Sequence, residues 1–339
     1  MTYVRLVDDA QGAVASTLSG AAAGLIARTS GSTGEPREVL LSAEAVRASA
    51  LATLERLGGP GNWLVALPTD RIAGAMVLAR ARIGQAAALA MPEGPFTAQA
   101  FSHAAAAMPA GRRYISLVPT QVRRILADPE AADALASFDT VLVGGAPPGM
   151  VLPANAIETY GMTETCGGCV YDGVPLPGVS VRLHDDDRIC LTGPMLADGY
   201  LDGENSAFVT TQGKRWFVTN DIGDWADTLT VHGRADDIII TGGHNVHPAQ
   251  VEDALYQVPG IREAVVVGVP DHEWGERITA VITCADPAPT TAHLRETLDL
   301  PRYALPRQIV PVRSLPLTEA GKIDRNAVRR IAAAAENEE

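Results

Sequence analysis

Through the first two thirds of the chain, short apolar runs alternate with segments whose apolar residues recur at helical spacing. Residues 43–57 place Ala45, Val46, Ala50, Leu51 and Leu54 on one predicted helical stripe, with Ser42 where an N-cap is expected. Residues 63–67 predict a strand, 72–83 a helix, and 86–90 and 114–118 two further strands. Pro119-Thr120 then opens a helix over 121–126, and strand 140–143 runs into Gly144-Gly145-Ala146. Such alternation predicts a sheet with helices packed on it and ligands gathered at the carboxyl ends of its strands. It places both glycine-rich loops of this half for that role.

From about Gly178 the pattern changes to short strands separated by turn residues, at 179–183, 188–191 and 229–232. After Arg234 a strand at 238–241, a Pro-started helix at 248–256 and strands at 264–269 and 278–283 predict a compact α+β unit. The domain boundary therefore falls between a large part, 1–234, and a small one, 235–339, which is within the usual domain size range. The acidic, Ala-rich tail after Ile331 reads as a fraying helix end.

Composition narrows the function. With 47% hydrophobic and 20% charged residues over 339 positions, the chain is globular and long enough for two domains. A net charge of -13 excludes a basic nucleic-acid surface and disfavours an anionic membrane, so an anionic ligand must be held by local groups. Cys166 and Cys169 form a C-x-x-C, but no second pair or spaced histidines accompany them, and zinc is not expected. There is no basic-then-apolar leader, and no apolar run reaches the ~18 residues of a membrane span. A reduced, cytoplasmic protein without membrane insertion is expected.

The loops carry the chemistry. ARTSGSTGEPREV, residues 27–39, packs Thr29, Ser30, Ser32 and Thr33 around Gly31 and Gly34 and ends in Arg37. Glycines let backbone N-H groups converge and the hydroxyls add donors, which suits a polyphosphate. A flexible linker has the same composition, and the loop alone does not decide between them. It is not a Walker A loop, because Glu35 stands where a lysine is required. TYGMTET, 159–165, offers Thr163, Glu164 and Thr165 at a turn; Glu164 is a solvated loop residue or a ligand for Mg2+ bridging to phosphate. Asp221 in VTNDIGDW can accept bonds from ribose hydroxyls. HGRADDIIITGGHNVHPAQVEDAL, 232–255, and LPLTEAGKIDRNAV, 315–328, complete the series.

In order from Thr29 to Asn326, these segments resemble the signature series of the adenylate-forming superfamily, which includes acyl-CoA synthetases, peptide-synthetase adenylation domains and luciferases. GRADD and GKIDR are its most specific members. The resemblance implies an α/β plus α+β fold, with a large N-terminal adenylation domain, shortened relative to the family, and a small mobile C-terminal lid. It implies ATP, Mg2+ and CoA, and a small carboxylate substrate.

By the same resemblance Thr29, Ser30, Gly31, Ser32, Thr33 and Gly34, with Arg37, hold the ATP phosphates. Gly144, Gly145 and Ala146 pack on adenine, and Tyr160, followed by Gly161, stacks on it. Thr163 bonds the α-phosphate, Glu164 ligates Mg2+, and Asp221 and Arg234 take the ribose hydroxyls. Lys322 is the catalytic cation of the first half-reaction, Asp236 the hinge, and Gly242-Gly243 the CoA turn. Arg71, Thr120 and Gly167 line the acid pocket.

SLVPTQVRRIL (116–126) and ETYGMTETCGGCVYDGVPLPGVSV (158–181) more narrowly resemble o-succinylbenzoate-CoA ligases of menaquinone biosynthesis, especially short actinobacterial ones. That implies o-succinylbenzoate as substrate. Other acyl- or aryl-CoA synthetases and carrier-loading adenylation domains share the series, and a non-catalytic nucleotide-binding protein is the rival from another class. The chain departs from the family at Pro36-Arg37-Glu38, where Pro-Lys-Gly is usual, and at Asn220, where a glycine is usual. Arg71 stands where His or an aromatic is common; it pairs with the substrate's ring carboxylate or simply with Asp70. A sheet shortened at its start exposes an edge or an apolar face, so a homodimer is expected.

Overall fold

A computed structural model describes residues 2–29, 36–145, 149–285, 287–318 and 323–335. The described chain forms two compact units. One runs to Thr219 and adds Trp225–Thr230; the other comprises Asn220–Asp224 and the chain from Val231 onward.

The first unit contains β1 (Tyr3–Arg5), α1 (Ala10–Ser19), β2 (Gly24–Arg28), β3 (Glu38–Ser42), α2 (Ala43–Arg56), β4 (Asn62–Val65), α3 (Ile72–Ile83), β5 (Ala88–Ala90), α4 (Ala98–Ala106), β6 (Arg113–Leu117), α5 (Pro119–Leu126), α6 (Pro129–Ala136), β7 (Thr140–Gly144), β8 (Ala156–Met162), β9 (Gly167–Tyr171) and β10 (Val174–Pro175). Then come β11 (Ser180–Leu183), β12 (Arg188–Thr192), β13 (Gly199–Tyr200), β14 (Phe208–Thr211) and most of β15 (Lys214–Trp225).

Seven strands form the central sheet in the order β10-β9-β8-β7-β6-β4-β5. Those from β8 to β5 are parallel, while β9 and β10 are antiparallel additions. The inner parallel strands β4, β6 and β7 bury both faces, as crossover helices require. Trp63, Val65, Tyr114 and Leu142 point into a core with α1, α2 and α3, whereas Leu64, Ile115, Leu117, Val141 and Val143 join Phe101 and Ile125 on the opposite side.

α2 starts as its sequence predicts, with Ser42 Oγ accepting from Ala45 N at 3.2 Å. Its buried face differs in one respect from the predicted stripe. Leu51 is 49% exposed, and Ser49 and Thr53 are buried instead. These two small polar residues sit in register with Val46, Ala50 and Leu54, and partners make their burial tolerable. Ser49 Oγ donates to Cys166 O at 3.1 Å, and the Thr53 and Tyr171 hydroxyls are hydrogen-bonded at 3.1 Å.

A second departure concerns the chain around the Ser/Gly loop. Alternation places this loop at the carboxyl end of a strand of the helix-covered sheet, just upstream of a helix start. Instead β2 and β3 pair antiparallel, Gly24 opposite Ser42 and Arg28 opposite Glu38, in a separate sheet ordered β1-β2-β3-β13. The apolar run of β3 abuts α2 with no intervening loop, so its period-2 signal merges into the helix.

The second unit contains β16 from Val231 on, as part of Leu229–Arg234, then β17 (Ile239–Thr241), β18 (His244–Val246), α7 (Pro248–Tyr256), β19 (Ile261–Asp271), β20 (Gly275–Cys284), α8 (Thr291–Thr297), β21 (Gln308–Pro311) and α9 (Arg325–Ala334). Its sheet is ordered β18-β17-β20-β19, with β21 parallel to β20. Alternation along β19 decides the two faces: Ala264 and Val266 pack with Val251, Leu255 and Leu294, and Val265, Val267 and Val269 pack with Val328 and Ala332. Arg325 forks onto Glu252 at 2.7 and 2.9 Å and donates to Val266 O at 3.0 Å. No helix among the described residues is long and apolar enough to cross a membrane.

Candidate active site

Within the first unit, β5 lies on one side of β4 and β6 on the other, so the crossovers leave in opposite directions, the topology that in open α/β sheets sets a ligand crevice at the carboxyl ends of the two strands. Arg71 and Thr120 stand at the rim of that crevice, Arg71 as N-cap of α3 and Thr120 in the first turn of α5. Gln121 ties the two loops together, its Nε2 donating to Ala66 O and its Oε1 accepting from Val118 N, both at 3.0 Å. Arg71 Nη1 points at Thr29 O, 3.4 Å away, and its Nε lies 3.7 Å from Asp70 Oδ2. Gly74 admits no side chain, because a Cβ there would lie 2.3 Å from Pro68 O.

One strand further, Gly144 ends β7 directly opposite Thr159, beside Tyr160. A Cβ on Gly144 would sit 2.4 Å from Thr159 Oγ1, and Gly145 takes φ 89, a conformation that favours glycine. Gly161 is required by close approach as well: its Cβ would meet Gly167 O at 2.2 Å. Gly167, at φ 85, faces Met76 of α3. Gly144 and Gly161 are thus fixed by close approach, and Gly145 and Gly167 by a backbone conformation that favours glycine.

Thr163–Thr165 form one tight turn between β8 and β9, and all three residues are buried. Thr165 stabilises it, accepting from Met162 N at 2.9 Å and donating to Gly167 O at 2.7 Å. Glu164 is 7% exposed, which excludes a solvated loop residue. Its Oε1 accepts from the Tyr200 hydroxyl at 2.7 Å, and its backbone O accepts from Ala197 N at 2.8 Å. Burial first, and the Glu164 charge second, hold the Tyr200 phenol far above its usual range, so it is a donor at neutral pH.

Tyr200 belongs to β13, where it pairs with Val39 of β3. That register sets the ring beside Arg37, whose guanidinium lies 3.5 Å from the ring centroid. Arg37 also forks onto Asp202, at 3.1 Å from Nε and 2.8 Å from Nη2, and donates to Glu204 O at 2.7 Å. Hydrogen bonding to Asp202 raises the Arg37 pKa and lowers that of Asp202. Thr29 closes the base of the loop, exchanging Thr29 N to Arg37 O and Arg37 N to Thr29 Oγ1, each 2.9 Å. Ser30, Gly31, Ser32, Thr33, Gly34, Ala146 and Lys322 lie outside the described residues.

In the second unit Arg234 forks onto Asp236 at 2.8 and 2.9 Å, while Asp221 Oδ1 is 3.9 Å from Arg234 Nη1. The Asp236 hydrogen bond raises the Arg234 pKa, ahead of the charges around it. Gly242 and Gly243 take φ 56 and 80 between β17 and β18, and a Cβ on Gly242 would press on the Trp274 ring at 3.1 Å. Nearby, His232 Nε2 bonds Asp224 Oδ2 at 2.7 Å, and its ring centroid is 6.2 Å from that of His247.

Among the described residues no three of His, Cys, Asp and Glu gather as a metal cage. Glu164 is a single buried hard-oxygen donor, which fits a cation that takes its remaining ligands from phosphate oxygens and water. Sequence reasoning missed Tyr200, Asp202 and Gln121. The first two stand in GYLDGEN, whose only local signal is a glycine before a tyrosine; their role depends on strand pairing with a segment 165 residues away.

A family model described as "AMP-binding enzyme" matches residues 14–201, and one described as "AMP-binding enzyme C-terminal domain" matches residues 250–322. The chain is 43% identical to a probable 2-succinylbenzoate--CoA ligase of Mycobacterium tuberculosis, covering 92% of this chain and 85% of that protein. It is 30% identical to a 2-succinylbenzoate--CoA ligase of Enterococcus faecalis, covering 87% of this chain and 67% of that one. A solved Bacillus subtilis o-succinylbenzoate CoA synthetase (MenE), in complex with the acyl-adenylate intermediate OSB-AMP, superposes with a TM-score of 0.74 at 26% identity, covering 90% of this chain and 68% of that one.

Proposed function

The chain belongs to the AMP-binding enzyme family, and from that premise we propose that it is an AMP-forming acid-CoA ligase that converts o-succinylbenzoate, ATP and CoA to o-succinylbenzoyl-CoA through an acyl-adenylate, a step of menaquinone biosynthesis. The observation that carries this reading is the convergence in one unit of Glu164, buried and oriented, with the base of the Ser/Gly loop and the crevice rimmed by Arg71 and Thr120.

In the first half-reaction the substrate carboxylate attacks the α-phosphorus of ATP and pyrophosphate leaves. The nucleophile is already an anion, so no general base is needed, and the protein's task is to position two anions and to neutralise developing charge. Thr29 through Gly34 cradle the phosphates, Thr163 bonds the α-phosphate, and Tyr160 with Gly144 and Gly145 holds the base. Glu164 would hold Mg2+, which when bound neutralises phosphate charge. Asp221 and Arg234 take the ribose, and Lys322 bridges the substrate carboxylate and the α-phosphate. In the second half-reaction the CoA thiol attacks the acyl carbon and AMP leaves. Residues 235–339 turn about Asp236 between the two, bringing the side-chain-free Gly242-Gly243 turn to the pantetheine.

The Arg71 contact with Thr29 O admits a second role for that cation, bracing the phosphate loop. Arg71→Ala separates the two: a rise in KM for the acid alone assigns it to the ring carboxylate, and equal rises for acid and ATP assign it to the loop. The ligase reading is tested by ATP-pyrophosphate exchange with o-succinylbenzoate, benzoate, a medium-chain fatty acid and no acid. Exchange with o-succinylbenzoate, and a thioester on adding CoA, is expected. Exchange only with another acid moves the substrate, and a silent panel from an enzyme that binds ATP overturns the reading.

A further inference from the structure

Resting on that adenylation reading, we propose that Tyr200 is a positioning residue for the metal-binding carboxylate of Glu164, held in place by an Arg37–Asp202 clamp that acts on the tyrosine ring and not on the ATP phosphates. Tyr200 touches Glu164 with its hydroxyl, and contacts to its backbone and its ring hold the residue in place. Its backbone is fixed on both sides, by pairing with Val39 and by Asn205 Oδ1, which accepts from Tyr200 N at 2.8 Å. The preceding Gly199 makes room for that bond, since a Cβ there would lie 2.4 Å from the same Asn205 Oδ1. Arg37 then covers the ring face, and its guanidinium is held by two groups on the Asp202–Glu204 turn, the Asp202 carboxylate and the Glu204 carbonyl. With its Nε and Nη2 donors on Asp202 and Glu204 and its flat face on an aromatic ring, Arg37 directs most of its bonding to the protein.

The segment just before that short strand also grips the main chain of Glu164, because Ala197 N donates to Glu164 O at 2.8 Å. Glu164 is therefore held at backbone and carboxylate from one side. A carboxylate offers about four lone-pair sites, so the Tyr200 bond selects its orientation while leaving capacity for a cation. Partners that orient a metal ligand in this way typically alter metal affinity when removed. β13 and β3 are hydrogen-bonded neighbours, so the strand that leaves the phosphate loop and the strand that orients the metal ligand keep a fixed spacing.

Tyr200→Phe tests this, because it removes the hydroxyl and keeps the ring under Arg37. Mn2+ binding to the enzyme in the presence of ATP, read by electron paramagnetic resonance, should weaken about tenfold, and the Mg2+ needed for half-maximal pyrophosphate exchange should rise by a similar factor. ATP binding in EDTA, and thioester formation from supplied acyl-adenylate, should change less than about twofold. Unaltered Mn2+ affinity in a cooperatively folding Tyr200→Phe enzyme overturns the proposal. Should that variant lose its cooperative melt, Asp202→Asn at the exposed end of the clamp decides: a smaller loss of Mn2+ affinity supports the proposal, and none overturns it. A wild-type enzyme silent with every acid would sink the ligase reading, and the Mn2+ titration with ATP would still decide this one.

Discussion

Two arginines in this protein each fork onto an aspartate, and the surroundings of the two pairs give them different work. Arg37 and Asp202 stand 165 residues apart in sequence and meet because β3 pairs with β13; a ring and a backbone carbonyl supply the further contacts of the arginine. Arg234 and Asp236 are two residues apart at the predicted hinge, and a second carboxylate, Asp221 Oδ1, lies 3.9 Å from Arg234 Nη1. A fork closed by tertiary structure is a scaffold, whereas a local fork with a second acceptor in reach can exchange partners when the chain between them turns. The first region accordingly suits fixing a metal ligand, and the second suits movement between half-reactions.

The largest expected effect lies on the scaffold side. Glu164→Ala should slow acyl-adenylate formation by about 10²–10³, the usual cost of removing one preorganised charge-stabilising group, and spare thioester formation from supplied acyl-adenylate. Quench-flow on each half-reaction checks it, and equal losses in both would erase the contrast between the regions. Asp236→Asn should act in the opposite sense. Weakening a charge-assisted fork at the hinge should slow the thioester step about tenfold and leave pyrophosphate exchange nearly intact. Loss of exchange instead would make this fork part of the nucleotide site.

The smallest effect is a pH response confined to the second unit. Burial, and then the neighbouring His232, lower the pKa of His247 below the ordinary histidine value. The unfolded chain therefore takes up a proton that the folded unit resists. Its stabilising share is complete above the unfolded pKa of about 6.5 and fades as pH falls below it. Hydrogen-exchange protection in α7, corrected for intrinsic rates, should drop from pH ~7.5 to ~5.5, and His247→Asn should flatten that drop. Protection in α3 should not follow it.

The contrast also marks how far the sequence could be read. The helices at Ile72–Ile83 and Pro248–Tyr256 and the Ser42 cap were legible because spacing, proline and cap chemistry are local. Leu51 was misplaced because Ser49 and Thr53 are buried by hydrogen bonds to Cys166 and Tyr171, partners remote in sequence. Glu164, Thr163 and Arg37 could be named from their motifs. The tie among them could not, since Tyr200 reaches Glu164 across 36 residues through a two-residue strand too short to carry a pattern. The Arg234–Asp236 fork, by contrast, lies entirely within GRADD.

The central claim is activation of the acid as an adenylate in the first unit, and one single-turnover experiment addresses it most directly. Enzyme, Mg2+, α-labelled ATP and o-succinylbenzoate are mixed without CoA, and CoA is added after the first products are sampled. The account predicts a labelled acyl-adenylate that accumulates with release of pyrophosphate and is converted on CoA addition to the thioester and labelled AMP. Labelled ADP with an acyl phosphate, or thioester formed with no adenylate preceding it, would contradict it.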